Sequence, residues 1–204
     1  MPYILEGNIN DKSGVRVEFE PEVDERVRAC LSIDPSEEDL AAVPREMTIA
    51  KPRIPKVPEI IQWGGGRYFF CERLRAMVEE MEPSVHRSVP VAVRTREPFH
   101  GTTEHGVWHL MVPPPRIPAL VIEETEFWQG FGREAYDRGD RFLAVDKKAP
   151  CVLDGAVIAG RHLWRLPREF KTDWFYSDEL WDRMKAEKMK GLAITKFCTI
   201  RKNH

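Results

Sequence analysis

The chain has 204 residues, with 31 basic and 33 acidic side chains and a formal charge of −2. It therefore lacks the basic excess of a general nucleic-acid binder, and no apolar run reaches the roughly 20 residues of a membrane span. A domain of this size buries roughly 70% of its unfolded surface and needs no disulfide or metal to hold a core.

Its four scattered cysteines, Cys30, Cys71, Cys151 and Cys198, include no Cys-x-x-Cys pair and read as reduced, mostly buried thiols. The opening Met1-Pro2-Tyr3-Ile4-Leu5-Glu6 has neither the basic nor the apolar region of a secretory signal, so a cytoplasmic location is expected.

In Val15-Arg16-Val17-Glu18-Phe19 apolar and charged side chains alternate, which predicts a strand. Two helices follow, over residues 21–31 and 36–43, the second with Ser36 placed as its cap. Pro44, Pro52, Pro55 and Pro58 then favour extended chain and suggest a linker or surface arm. A boundary near residue 57 separates a lobe with its arm, 1–57, from a larger unit, 58–204.

The larger unit opens with a short strand at 60–63, a tight turn at Gly64-Gly65-Gly66 and an extended Tyr68-Phe69-Phe70. A helix follows with Leu74, Met77, Val78 and Met81 on one face, stopped by Pro83. Val89, Val91 and Val93 line one side of a strand, and Pro90 places that strand at a sheet edge. Further strands are expected at 105–112, 119–122, 142–145, 163–166 and 174–176.

The last helix starts at the good cap Ser177, with Asp178 and Glu179 in its first turn and Leu180, Trp181 and Met184 as its buried stripe. Gly191 suits a left-handed residue after it, and a strand over 192–200 follows. Strand, cap and helix thus occur twice, at Phe70/Cys71/Leu74 and at Tyr176/Ser177/Leu180. The fold class is α+β: a mixed, mostly antiparallel sheet with two main helices packed on it.

Residues with catalytic chemistry are scattered. His105 and His109 would share a face on a helix, but their surroundings favour a strand, where four residues span roughly 13 Å. The glycines at 64–66 have neither P-loop nor dinucleotide spacing, and no nucleophile-elbow motif is present. Cys71, at a helix start, is expected as a small capping residue rather than a thiolate nucleophile. The proline-rich 113–118, with Arg116 inside it, is expected as a rigid connector. No catalytic, cofactor or metal residue is assigned.

The segment most suited to meeting another protein is 123–131. Glu123, Glu124 and Glu126 stand beside Phe127, Trp128 and Phe131, and carboxylates flanking aromatics make anchors for a basic partner. In the competing arrangement the three aromatics are core residues of a short helix with an acidic start.

Several stretches together resemble a known family. They are Pro58-Glu59-Ile60-Ile61-Gln62-Trp63, Phe70-Cys71-Glu72-Arg73-Leu74, and His86 followed by Pro90-Val91. Further on, Leu163-Trp164-Arg165, Phe175-Tyr176-Ser177-Asp178-Glu179-Leu180 and Gly191-Leu192 complete the pattern. The chain is similar over residues 58–200 to the eleventh family of polymorphic-toxin immunity proteins, departing from it at Cys71, where the family usually has serine.

The resemblance implies an antitoxin that binds a cognate protein toxin in the cytosol and occludes it, with no cofactor and no shared catalytic residue. The alternative is an enzyme of unrecognised type that reverses a toxin's modification through dispersed residues such as His100, His109 and Asp140.

Overall fold

In the computed structural model the described residues are 2–7, 16–19, 21–50, 57–64, 66–97, 101–128, 137–143, 149–170, 174–189 and 192–201. In chain order the strands begin with β1 (Tyr3–Gly7), β2 (Arg16–Phe19), β3 (Glu46–Ala50), β4 (Ile60–Gln62), β5 (Tyr68–Cys71), β6 (Ser88–Glu97) and β7 (Gly101–Met111). They continue with β8 (Phe127–Trp128), β9 (Phe142–Leu143), β10 (Val152–Asp154), β11 (Leu163–Trp164), β12 (Trp174–Tyr176), β13 (Leu192–Phe197) and β14 (Thr199–Arg201). The helices are α1 (Glu25–Cys30), α2 (Glu37–Ala41), α3 (Glu72–Met81) and α4 (Asp178–Ala186), with 3-10 turns η1 (Ile122–Glu124) and η2 (Arg168–Phe170). The architecture is α+β, and α3 and α4 are the two main helices.

The chain divides into two units, each discontinuous in sequence. One comprises 7–113 with 188–192; the other comprises 1–6, 114–187 and 193–204. Residue 57 lies inside the first of these.

The unit around 7–113 is built on a six-stranded sheet of order β2-β3-β6-β7-β5-β4. Only β3 and β6 run parallel; the other neighbours are antiparallel. Val89, Val91 and Val93 share one face with Ile49, Phe69, Trp108 and Leu110, and that face is closed by Val27 from α1, Leu31 just after it and Leu40 from α2. Phe19, Trp63 and Phe69 pack ring to ring within it, at 4.7–6.1 Å. Helix α3 lies against β5 and β7 and buries Leu74, Met77 and Val78. Strand β5 is buried on both sides, which explains its unbroken Tyr-Phe-Phe.

Two expectations are corrected here. The proline-flanked stretch before residue 57 contains a strand, β3, seated between β2 and β6; Pro52 and Pro55 lie outside the described residues. Strand β6 is central rather than at an edge. Pro90 is tolerated because the β3 ladder begins only at Ala92, whose N–H donates to the Arg45 carbonyl. Pro90 shares that parity, so its missing donor faces a stretch where β3 has not started.

Gly65 lies outside the described residues; around it Trp63 N–H donates to the Arg67 carbonyl at 2.8 Å, closing a turn in which Gly64 and Gly66 have left-handed φ. Buried Arg67 fastens this turn to α1. It donates to the carbonyls of Trp63 and Arg28 and to Ser32 Oγ, and its guanidinium lies 4.9 Å from the Trp63 ring centre. Desolvation pushes its pKa down to about 10, which leaves it charged at neutral pH.

The other unit carries a four-stranded sheet of order β11-β12-β1-β13 and two small ladders, β10-β14 parallel and β8-β9 antiparallel. Its core gathers Ala119, Leu143, Cys151, Leu153, Trp164, Leu166, Phe170, Phe175 and Cys198. The strand expected at 119–122 shrinks to a bridge between Leu120 and Leu153, because the chain turns outward at η1. The single strand expected over 192–200 is two, β13 and β14, parted at Cys198.

The proline run is laid along the chain beyond β11. Arg165 donates from Nε to the Pro114 carbonyl and from its backbone N–H to the Pro115 carbonyl, both at 2.9 Å. Gly191 lies outside the described residues; the left-handed residue after α4 is Lys188, at φ 54°.

Candidate interaction surface

The surface begins where a buried stretch of extended chain ends. Ala119 and Val121 are held against β10 by Asp154 N–H to Ala119 O and Val121 N–H to Val152 O, at 2.8 and 2.9 Å. The turn η1 then lifts Ile122, Glu123 and Glu124 out of the core, and Ile122 is 43% exposed. Thr125 returns the chain to β10, its Oγ accepting from Val152 N–H at 3.1 Å, and Glu126 N–H donates to the Pro150 carbonyl.

Alternation along β8 then sorts the aromatics. Phe127 turns inward and stacks on Phe170 at 5.8 Å, with the Arg141 guanidinium 5.6 Å from its ring centre; Trp128 turns outward and is 45% exposed. Glu123, Glu124 and Glu126 are all exposed.

The four singled-out residues, Glu123, Glu124, Glu126 and Trp128, thus lie within one short exposed stretch. Phe127 goes to the core side, on a strand rather than on the short helix weighed from sequence, and Phe131 lies outside the described residues. Sequence reasoning missed the brace beneath. Arg201 Nη1 lies 3.3 Å from Glu124 Oε1, and its Nη2 lies 3.6 Å from Asp154 Oδ2. The brace ties η1 to β14 and β10 and orients Glu124, while Ile200 beside it on β14 adds another exposed apolar side chain.

The histidines go separate ways. His105 is the residue skipped where the β6/β7 register shifts, and its Nε2 lies 2.7 Å from Thr95 Oγ1. His109 Nε2 lies 2.5 Å from Glu72 Oε2, and its Nδ1 lies 3.4 Å from Ser88 Oγ. Serine, histidine and carboxylate are the types of a nucleophile relay, but Glu72 is already engaged by Arg75 through two hydrogen bonds, at 2.7 and 3.1 Å. The row straps the start of α3 to the sheet.

Asp140 belongs to the other unit and is paired with Arg138 at 3.3 Å; His100 lies outside the described residues. Burial pushes the Cys71 thiol up, the opposite of an activated nucleophile. A second acidic surface, a cavity of about 500 Å³, is lined by Glu22, Val23, Asp24, Glu25 and Arg28 at the start of α1.

Fold and surface are those of a two-unit α+β protein with an acidic, aromatic-bearing edge. The chain belongs to the Immunity protein family (Imm11), whose family model matches residues 6–199. The match takes in nearly all of the first quarter, which the resemblance at 58–200 left out. No curated protein sequence matches the chain. Among the described residues no helix is long and apolar enough to cross a membrane.

Proposed function

We propose that this immunity protein neutralises a cognate bacterial toxin in the cytosol by one-to-one binding and occlusion, without turnover and without a cofactor. Family membership is the observation that carries this reading. The contact surface is the stretch from Ile122 to Trp128. Trp128 supplies a large amphipathic anchor, and Glu123, Glu124 and Glu126 meet a basic region of the toxin. Neither nucleic acid nor membrane takes part.

The test is co-expression with the toxin encoded alongside, followed by titration of purified protein against toxin activity. Occlusion gives full protection only at one copy per toxin or more. Protection at a small fraction of one copy means catalytic reversal and overturns the reading, as does continued killing with both proteins soluble.

A further inference from the structure

Two of the four cysteines stand together inside the unit that carries the acidic edge. Cys151 precedes β10 and Cys198 precedes β14, and these strands pair in parallel with Val152 opposite Thr199. Cys151 and Cys198 are therefore register partners, one position before the ladder begins. Thr199 N–H donates to the Cys151 carbonyl at 2.9 Å, which holds the two backbones at strand spacing. Paired strands lie about 4.8 Å apart, within the Cα separation of about 4.4–6.8 Å that a disulfide spans. Register partners also project to the same side of a sheet, and here the sulfurs lie 3.3 Å apart. Both thiols are buried, at 1% and 0% exposure.

We propose that Cys151 and Cys198 form a reversible redox pair: reduced thiols in the state seen here, and a disulfide when a small-molecule disulfide such as oxidised glutathione is present. In the first step one cysteine, as thiolate, attacks the glutathione disulfide, forming a mixed disulfide and releasing one glutathione thiolate. In the second, the neighbouring cysteine, as thiolate, attacks the protein sulfur of that mixed disulfide and expels the second glutathione. The two protein thiols are oxidised to one disulfide, and the glutathione disulfide is reduced to two glutathiones, which take up the two protons.

Entry of the oxidant requires local opening. The site of opening is β14, whose three residues are exposed and whose ladder partner is β10. Cys30 lies in helix α1 and Cys71 faces Trp108 across the β5/β7 ladder; the register of β10 and β14 is what selects the Cys151–Cys198 pair. The link closes a loop of 47 positions and staples β14 to β10, and so shrinks the unfolded ensemble.

The test uses the full chain, reduced and then incubated with oxidised glutathione. Remaining thiols are alkylated after unfolding, and peptides are mapped by mass spectrometry without reductant. The expected result is one peptide pair joining Cys151 to Cys198, returned to two alkylated peptides by dithiothreitol. Oxidation should raise the melting midpoint by about 5 °C or more, a rise absent in Cys198→Ala. Alkylation of both Cys151 and Cys198, a glutathione adduct that stays on either one, or a link to a different cysteine would each overturn the proposal. The peptide map is read on the parent protein, so it stands even where the variant folds poorly.

Discussion

At the scale of single residues, exposure separates binding from stability. Trp128, Glu123 and Glu126 are exposed, so replacing them should shift the unfolding free energy by no more than roughly 0.5 kcal/mol. Trp128→Ala should nevertheless weaken toxin binding by about 2 kcal/mol, roughly 30-fold, as read by titration calorimetry. Reversing Glu123 and Glu126 to lysine should slow association and flatten its salt dependence; unchanged rates would remove the acidic edge from the interface.

His109 makes a different prediction. Burial holds its imidazole below the usual 6.5, outweighing the lift from Glu72. The unfolded chain therefore binds that proton more readily. The contribution to stability is complete above about pH 6.5 and is lost as pH falls through the folded-state value. Glu72, held below 4.5 chiefly by its hydrogen bond to Arg75, adds a second loss at lower pH. Urea midpoints at about pH 7.5 and about pH 5.5 should differ less in His109→Gln than in the parent.

At the scale of elements, the two main helices share a plan but differ at the cap. In α4, Ser177 Oγ accepts from Leu180 N–H at 3.1 Å, and its hydroxyl lies 2.9 Å from His162 Nδ1. In α3, Cys71 occupies the cap position with no side-chain hydrogen bond. Cys71→Ser should thus stabilise the protein by roughly 0.5–1 kcal/mol, and Ser177→Ala should cost about 1 kcal/mol or more, both measurable as shifts in the urea midpoint. The recurrence extends to chemistry, since a histidine meets a first-turn glutamate in both places: His109 on β7 with Glu72, and His162, just before β11, with Glu179 at 3.4 Å.

These features were legible because caps, apolar stripes and period-two alternation are local. The valines of β6, the stripe of α3 and the cap of α4 all follow from spacing. Strands β1, β3 and β10 were not legible, because what makes each a strand is a partner far along the chain. Pro90 misled for the same reason, since its tolerance depends on where β3 begins.

At the scale of the whole molecule, the units interleave along the sequence. Residues 1–57 supply β1, which sits between β12 and β13, and also β2 and β3 of the six-stranded sheet. Residues 58–204 expressed alone should therefore lack cooperative unfolding by circular dichroism; a sharp transition would show that the boundary near 57 marks an independent folding unit after all. The acidic edge was legible from composition. Its brace was not, because Arg201 lies 77 positions beyond Glu124, and the Cys151–Cys198 pair was hidden by a separation of 47.

Interleaving also sets an order on synthesis. Strand β1 leaves the ribosome well before its neighbours β12 and β13, which lie more than 165 positions later. At roughly 5–20 residues per second, its backbone donors stay without their final acceptors for about ten seconds or longer. During that interval the nascent chain presents an unpaired edge, and a chaperone that covers it should raise the yield of folded protein.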